Sequence, residues 1–352
     1  MSELNLTFTG SGILTRGRGL TFDDVLIVPS KSAVRSRKDP SLTTRVTRRH
    51  RISLPFISAN MDTVTESTMA IAMHQLGGLG ILHRFMSIES QVQEVQHVRE
   101  AGAELVAASI GVNEEGRERA QALVNAGANL LTIDIAHGHS TAMIETVQWL
   151  KEAFGDRVDL IAGNVATPEG TRELIEAGAD AVKVGIGPGS MCTTRMITGC
   201  GVPQLTAIAW CCEVAREHGV PIIADGGLRT SGDIVKALAA GAESVMLGSL
   251  LAGTLETPGQ IHYGKKHYRG MASRAAQVSW RGGLPEGMAP EGESTAVPVK
   301  GHVRDVLLEL AGGLRSGMSY INATELGEIP EKARFIEMTP SGFRESMAHG
   351  VK

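Results

Sequence analysis

The sequence predicts a single-domain (β/α)8 TIM barrel over residues 1–352, with a long mobile flap after the eighth strand. Three observations support this fold class. Eight short apolar runs recur roughly 20 to 30 residues apart, which is the spacing of one strand plus one crossover helix. Most segments between the runs carry helix start and stop signals, and polar residues collect where the predicted strands end.

The eight apolar runs are rich in Val, Ile, Leu and Ala, and they are continuous rather than alternating. Continuous runs are expected of parallel strands that are covered on both faces. The predicted strands span residues 54–61, 78–85, 104–112, 129–136, 159–165, 179–187, 220–227 and 243–250. Eight such units favour a closed barrel. An open doubly wound sheet is the alternative, but it rarely needs eight nearly even repeats.

Helix signals are clearest in two of the intervening segments. Residues 167–177 begin with a capping Thr167 and Pro168, and Gly178 follows as a terminator. Residues 230–240 repeat this pattern, from Thr230 at the start to Gly241 after the end. Ala-Gly-Ala phrases precede the third, sixth and eighth strands, as expected of helix C-termini that lead into the next strand.

The composition provides no electrostatic reason to bind nucleic acid or an anionic membrane. The 352 residues carry a net charge of −4, and 42% of them are hydrophobic. We interpret the basic cluster at residues 45–51 as a solvated face or a subunit contact rather than a nucleic-acid patch. No apolar run approaches the length of a membrane span, and the first residues do not resemble a secretory signal. We therefore expect a cytoplasmic protein.

The four cysteines are expected to be reduced thiols. Their positions, 192, 200, 211 and 212, do not resemble a zinc-binding framework, and an adjacent pair is a poor disulfide arrangement. Cys192 differs from the others because it lies in a glycine-rich loop, residues 185–204, after the sixth apolar run. We interpret this loop as an active-site loop.

Glycines allow the loop backbone to turn tightly and bring its peptide groups close to a ligand. Thr193, Thr194 and Arg195 follow the thiol. A nearby positive charge favours the thiolate, the form of cysteine that attacks electrophiles. The alternative is a small buried cysteine in a structural turn, which is the usual interpretation of a lone cysteine.

Barrel enzymes carry their chemistry at the carboxyl ends of the strands. Unusual polar residues follow the predicted strands there: Asn60, Asp62, His83, Arg84, Asp134, His137, Asn164 and Asp225. The pairs Gly226-Gly227 and Gly248-Ser249 follow strands seven and eight, where barrels commonly bind phosphate through backbone amides. Plain turns are the alternative for these two pairs.

Residues 254–301 contain many glycines and prolines and show little periodicity. A segment of that length without regular structure is usually a functional lid or a disordered stretch. We predict a mobile flap over the mouth of the barrel.

The loop GPGSMCTT at residues 187–194 closely resembles the active-site loop of the IMP dehydrogenase / GMP reductase family. The resemblance covers nearly the whole chain. Further matching motifs are LTFDDVL (20–26), ANMDTV (59–64), DIAHGHS (134–140), AGNV (162–165), ADGG (224–227), YRGM (268–271) and GGLRSG (312–317). The family resemblance implies a (β/α)8 barrel, in agreement with the count of eight predicted strands. It also implies that the barrel assembles as a homotetramer.

The resemblance also implies covalent purine chemistry. Cys192 would attack C2 of a purine nucleoside 5′-monophosphate, and a hydride would pass between C2 and a nicotinamide cofactor. The substrate-binding residues would be Ser190, Asp225, Gly226, Gly227, Gly248, Ser249, Tyr268, Met271, Ala272 and Gly292. Among these, Asp225 would hold the ribose, Met271 and Ala272 would meet the base through their backbones, and most others would hold the phosphate.

The remaining implied contacts concern the cofactor and a cation. Asp134, Asn164 and Arg84 would lie on the nicotinamide side. The carbonyls of Gly187, Gly189 and Cys192 resemble the family's site for a monovalent cation, K⁺.

The family has two branches. The dehydrogenase branch oxidises IMP to XMP with NAD, carries an Arg-Tyr pair in its flap, and usually has a tandem CBS domain after the second barrel unit. This chain has no Tyr after an Arg in its flap and has room for only one helix after strand two. The reductase branch converts GMP to IMP and ammonia, and its threonine and flap glutamate correspond to Thr194 and Glu291.

We therefore favour an NADPH-dependent GMP reductase, with catalytic residues Cys192, Thr194 and Glu291. An IMP dehydrogenase that lacks the CBS domain and uses NAD is the alternative. A phosphosugar-type barrel would explain the phosphate loops but not the thiol loop. A binding protein without turnover would not need Cys192, Thr194 and Asp134 together.

Overall fold

The computed structural model describes residues 6–284, 286–348 and 350. Its strands, in chain order, are β1 (Thr7–Phe8), β2 (Val25–Ile27), β3 (Thr44–Arg45), β4 (Arg51–Ile52), β5 (Phe56–Ser58), β6 (Leu79–Leu82), β7 (Ala107–Ile110), β8 (Leu130–Asp134), β9 (Asp159–Val165), β10 (Ala181–Val184), β11 (Ile222–Asp225), β12 (Ser244–Leu247), β13 (Lys265–Arg269), β14 (Ser294–Pro298) and β15 (Phe335–Glu337). Strands β5 to β12 pair in parallel and close into a barrel. The predicted (β/α)8 barrel is confirmed, and each predicted apolar run contains one of its strands.

Helices lie between the barrel strands and after them. In chain order they are α1 (Ser67–Gln75), α2 (Ile88–Glu100), α3 (Glu114–Ala126), α4 (Thr141–Phe154), α5 (Pro168–Ala177), α6 (Thr194–Thr198), α7 (Gln204–Glu217), α8 (Ser231–Ala239), α9 (Arg274–Arg281), α10 (Val303–Tyr320), α11 (Ile329–Lys332) and α12 (Pro340–Glu345). Short 3-10 helices occupy Ser11–Thr15, Phe22–Asp24, Gly155–Arg157 and Leu326–Glu328. No described helix is long and apolar enough to cross a membrane.

The two helices with the clearest sequence signals form as predicted. The Thr167 side chain accepts a hydrogen bond from the Gly170 amide at the start of α5, and Gly178 ends the helix in the left-handed region at φ +113°. At the start of α8, Thr230 and Asp233 form a reciprocal capping box. These caps fix where each helix begins and therefore where the preceding loop ends.

The hydrophobic core has two layers. One layer fills the barrel interior and comprises Val46, Ile52, Ile57, Ala59, Leu79, Ile81, Ala107, Leu130, Ile161, Ala181, Ile223 and Met246. Val46 and Ile52 belong to the hairpin of β3 and β4, which therefore closes the amino end of the barrel. The larger layer lies between the strands and the surrounding helices. Because side chains fill the interior and the hairpin covers the amino end, the carboxyl end is the open end of the barrel.

The segment 254–301 differs from the sequence expectation of little regular structure. Its described residues contain an antiparallel ribbon of β13 and β14, with helix α9 between them. The inward positions of β13 are Lys266 and Tyr268, while Lys265 and His267 are exposed. Because one inward side chain is a lysine, the alternation of the strand is not visible as a hydrophobic pattern.

The space between β6 and β7 holds only helix α2, as the sequence predicted. No second domain interrupts the described barrel at that point. A small sheet of β1, β15 and β2 lies outside the barrel.

Candidate active site

A cavity of about 370 Å³ opens at the carboxyl end of the barrel. Its walls come from the ends of the barrel strands, the Cys192 loop and the flap. All the predicted site residues except Gly292 line it: Arg84, Asp134, Asn164, Gly187, Gly189, Ser190, Cys192, Thr194, Asp225, Gly226, Gly227, Gly248, Ser249, Tyr268, Met271, Ala272 and Glu291. The barrel thus brings together residues that are far apart in the chain.

The Cys192 loop leaves β10 through backbone conformations that require glycine. Gly185 has φ +153° and Gly187 has φ +82°. A Cβ on Gly185 would collide with the carbonyl oxygen of Asp225. Arg195 closes the loop by donating from Nε to the Ile186 carbonyl at 3.1 Å and from Nη2 to the Val202 carbonyl at 2.6 Å. Its guanidinium therefore also holds the loop's shape.

Three side chains form a hydrogen-bonded chain in the cavity. The Cys192 Sγ donates to Thr194 Oγ1 at 3.1 Å, and Thr194 Oγ1 donates to Glu291 Oε2 at 2.9 Å. Each donor has one acceptor, so the chain runs in a single direction from thiol to carboxylate. This arrangement can carry a proton away from the sulfur toward Glu291.

Main-chain hydrogen bonds place Glu291 beside the Cys192 loop. The Thr193 amide donates to the Glu291 carbonyl at 3.1 Å, and the Glu293 amide donates to the Met191 carbonyl at 2.8 Å. Between them, Gly292 forms an isolated bridge with Cys192. Gly292 is not among the residues that line the cavity, and its role in substrate binding stays a prediction. A Cβ there would lie 3.1 Å from the Met191 carbonyl, so this position serves close backbone packing.

The wall of the cavity formed by Ser190, Tyr268 and the loops after β11 and β12 has the features of a phosphate site. Gly226 and Gly227 follow β11 with φ +91° and +80°. Ser190 Oγ and Tyr268 OH are 3.3 Å apart, and the Tyr268 hydroxyl lies beside Gly248. Burial raises the pKa of Tyr268, so its hydroxyl keeps the proton that it can donate to an anion.

A lysine that the sequence analysis did not single out is central to the site. Lys183 on β10 is buried, and its Nζ lies 2.7 Å from Asp134 Oδ1 and 2.8 Å from Asp225 Oδ2. It also donates to Asn164 Oδ1, while Asn164 Nδ2 donates to Asp225 Oδ2 at 2.9 Å. Asn60 Nδ2 donates to the other oxygen of Asp134 at 2.9 Å. One ammonium group thus links two carboxylates from different strands.

The charges in this cluster stabilise one another. Burial alone would lower the pKa of Lys183, but Asp134 and Asp225 outweigh it and raise that pKa. Burial alone would raise the pKa of Asp134, yet Lys183 and Asn60 hold it below its usual value. Both groups are therefore charged at neutral pH.

The wall of the cavity beside helix α9 is aromatic and basic. The Arg84 guanidinium lies 4.9 Å from the centre of the Phe85 ring and 6.0 Å from that of Trp280. The two rings meet edge to face at 5.4 Å. Gln277 is three residues before Trp280 on α9 and also lines the cavity. Trp280 and Gln277 were missed by sequence reasoning because nothing in a short amphipathic helix shows which face meets a ligand.

The other cysteines lie outside this cavity. Cys211 and Cys212 are buried in α7, and Cys200 is exposed. Burial raises the pKa of Cys211 to about 12 and that of Cys212 well above its usual value, which keeps both as unreactive thiols. Cys192 is thus the thiol that faces the cavity.

The family model described as IMP dehydrogenase / GMP reductase domain matches residues 19–349. The chain belongs to this family, whose members are oxidoreductases that act on purine nucleotides with NAD(P)H cofactors. The chain is therefore an oxidoreductase of this class.

Relatives carry both activities in their names. An inosine-5′-monophosphate dehydrogenase from Cryptosporidium parvum is 44% identical, with 96% of each chain covered. One from Nitrosopumilus maritimus is 39% identical, with 95% of this chain and 98% of the relative covered. A GMP reductase from Leishmania major is 35% identical, with 96% and 98% covered. The alignment with the N. maritimus protein spans 470 positions, so that relative has an insertion that this chain lacks.

A solved structure has the same fold. It is a cysteine-to-alanine variant of GMP reductase from Trypanosoma brucei in complex with guanosine 5′-monophosphate. The TM-score is 0.89 at 36% identity, with 96% of this chain and 99% of the other covered. The relatives share the family and the fold but divide between two reactions.

Proposed function

We propose that the protein is a GMP reductase, which converts GMP to IMP and ammonia with NADPH as the hydride donor. The observation that carries the proposal is the directed chain from Cys192 through Thr194 to Glu291. A reductase must both form a sulfur–carbon bond and protonate a leaving amine. The two hydrogen bonds couple these tasks, because the proton removed from the thiol reaches a carboxylate in the same cavity.

In the proposed first step, the Cys192 sulfur bonds to C2 of the guanine ring as its proton moves through Thr194 to Glu291. The protonated Glu291 then donates to the 2-amino group, and the C2–N bond breaks to release ammonia. When bound, the nicotinamide cofactor supplies a hydride to C2. Cleavage of the C2–S bond then releases IMP and the Cys192 thiolate, which takes one proton from solvent to restore the starting thiol.

The remaining cavity residues bind and orient the nucleotide in this proposal. Ser190, Tyr268 and the amides after β11 and β12 would hold the 5′-phosphate. Lys300 supports that wall, since its Nζ donates to the carbonyls of Ser249 at 2.8 Å and Leu250 at 3.2 Å. Asp225 would accept the ribose hydroxyls, because its Oδ2 is held by Lys183 and Asn164 while Oδ1 has no partner among the described residues.

The residues proposed for the cofactor fit a nicotinamide. Asp134 and Asn164 line the cavity, and the Arg84 Nε is buried with no hydrogen-bond partner in the described part of the chain. Three carbonyls, those of Gly187, Gly189 and Cys192, would bind K⁺. The Gly189 carbonyl already accepts the Cys192 amide at 3.0 Å, so a cation would use its second lone pair. We further propose a cytoplasmic homotetramer.

The second candidate is an NAD-dependent IMP dehydrogenase. The identity to the C. parvum dehydrogenase, 44%, favours it, because the L. major reductase is 35% identical. Against it stands the flap, which has no Arg-Tyr pair to activate the water that hydrolysis requires.

One absorbance assay at the nicotinamide band separates the candidates. A decrease with GMP and NADPH supports the reductase, and ammonia should appear in equal amount. An increase with IMP and NAD, with XMP as product, would replace our proposal with the dehydrogenase.

A further inference from the structure

The cavity contains an unusual concentration of unpaired polar atoms. Seven buried side-chain nitrogen or oxygen atoms in the described residues have no hydrogen-bond partner, and three of them belong to residues that line this one cavity. They are Arg84 Nε, Gln277 Oε1 and Trp280 Nε1. Buried polar atoms are rarely left unpaired, because each costs about 1–3 kcal/mol. Their grouping indicates a position where a ligand supplies the missing partners.

The three atoms belong to one surface. Gln277 and Trp280 are three residues apart on α9 and so share a helix face. Trp280 contacts Phe85, and Arg84 lies over both rings. Among the described residues Arg84 makes no hydrogen bond or ion pair, so its Nε proton remains available.

The orientation of the Gln277 side-chain amide is determined by its hydrogen bond to the Met271 carbonyl. Its Nε2 donates to the Met271 carbonyl at 3.3 Å, and only the amide nitrogen can make that bond. The Oε1 atom must therefore point away from Met271. The surface thus presents two donors, the Arg84 and Trp280 N–H groups, and one acceptor, Gln277 Oε1.

We propose that Arg84, Gln277 and Trp280 form a binding subsite for the carboxamide of the nicotinamide ring. A carboxamide has one carbonyl acceptor and one NH₂ donor, which complements this set. The inference rests on the proposed function because it needs a nicotinamide cofactor in the cavity. A purine also has a carbonyl beside an N–H. The nicotinamide is favoured because the Arg84 guanidinium lies beside Gly111 at the end of β7, whereas the thiol and the phosphate site belong to the loops after β10, β11 and β12.

The subsite assigns separate roles to its members. Gln277 Oε1 accepts from the NH₂ of the carboxamide, and the N–H groups of Trp280 and Arg84 donate to its oxygen. These three contacts, one to the NH₂ and two to the oxygen, fix the rotation of the carboxamide and therefore which face of the ring meets the purine. Gln277 and Trp280 are thus specificity-determining residues for the cofactor.

The test compares each natural cofactor with its 3-acetylpyridine analogue, in which a methyl group replaces the NH₂. Binding is measured by calorimetry on the full chain with IMP present, in a Cys192→Ala background that prevents turnover. With Gln277 intact, the analogue of NADP should bind about tenfold more weakly, because it leaves Oε1 unpaired. In Gln277→Leu the two cofactors should bind within about twofold of each other.

Two further variants sharpen the result. Trp280→Phe keeps the ring but removes the N–H, so it should weaken both cofactors by the same factor of about three to ten. Val278→Ala, on the exposed side of α9, is the matched control and should change neither affinity. Gln277→Met replaces Gln277→Leu if the latter does not fold.

An unchanged preference for the natural cofactor in Gln277→Leu would overturn the inference. So would a loss of IMP affinity in that variant with the cofactor preference intact, because the group would then contact the purine. If NAD binds where NADP does not, the proposed reductase cofactor fails. The NAD pair then tests the subsite by the same comparison.

Discussion

The Thr194 hydroxyl donates a 2.9 Å hydrogen bond to a carboxylate 97 residues further along the chain, that of Glu291. Thr194 belongs to the Cys192 loop after β10, and Glu291 lies in the flap after β12. The flap therefore contributes a carboxylate to the proposed proton path from Cys192. If the flap moves away, the acceptor at the end of the proton path leaves with it.

Cys192→Ala should abolish turnover, by at least about a thousandfold in kcat, because Cys192 is the thiol that lines the cavity in the described part of the chain. GMP affinity should be largely retained, since the phosphate and ribose contacts are separate. Initial rates and calorimetric binding of GMP check both points. Cys200→Ala, which removes an exposed thiol of the same loop, is the control and should behave as the wild type.

Glu291→Gln should slow ammonia release by about 10²–10⁴-fold, because the amide cannot take the proton from Thr194. Hydride transfer in the reverse direction, from IMP to NADP, should be less affected, because there Glu291 only accepts the thiol proton and has no leaving amine to protonate. Stopped-flow absorbance follows both steps. Glu293→Gln changes an exposed carboxylate two residues away and should have no effect. Rapid deamination by Glu291→Gln would remove this residue from the mechanism.

Tyr268→Phe should raise the KM for GMP by about tenfold to a hundredfold, because it removes one hydrogen bond to a charged phosphate. The kcat should change less, since this contact exists before and during the reaction. Tyr263→Phe alters a fully exposed tyrosine in the same flap and provides the comparison. Equal KM values for the two variants would argue against a phosphate site at this wall.

Lys183→Met should destabilise the protein by about 3–5 kcal/mol, because it leaves two carboxylates close together without their shared cation. Chemical denaturation measures the loss. Lys236→Met removes another largely buried lysine, which donates to the Phe22 carbonyl, and should cost only about 1 kcal/mol. Similar losses in both variants would show that the Lys183 cluster has no special weight.

The cluster of Lys183, Asp134 and Asp225 also makes the stability of the protein depend on pH. The pKa of Asp134 is lowered from 3.8, so its contribution to stability is present above that value and is lost as pH falls through the lower folded-state pKa. The pKa of Lys183 is raised from 10.5, so its contribution is lost only in stronger base. We expect Asp134→Asn to flatten the fall in stability below pH 4. Acid titration followed by circular dichroism tests this expectation.

Some of the site could be identified from the chain alone. The eight runs and the caps at Thr167 and Thr230 are local signals, because a helix cap or a buried strand depends on residues close in sequence. Cys192 and the glycine pairs after the last strands could also be recognised as candidate site residues, since a barrel places the carboxyl ends of all its strands at the same end. Glu291 could be named only through the resemblance to the family.

The tertiary structure decided the rest. Lys183 sits in an otherwise apolar strand, and that isolated charge was its available signal, but its partners Asp134 and Asp225 come from two other strands. Gln277 and Trp280 gained their significance from the side of α9 that meets Arg84. The sequence by itself determined the barrel and identified Cys192 as the candidate nucleophile. Closure of the barrel and docking of the flap determined which distant polar groups share one cavity, because such contacts depend on packing and not on neighbouring residues.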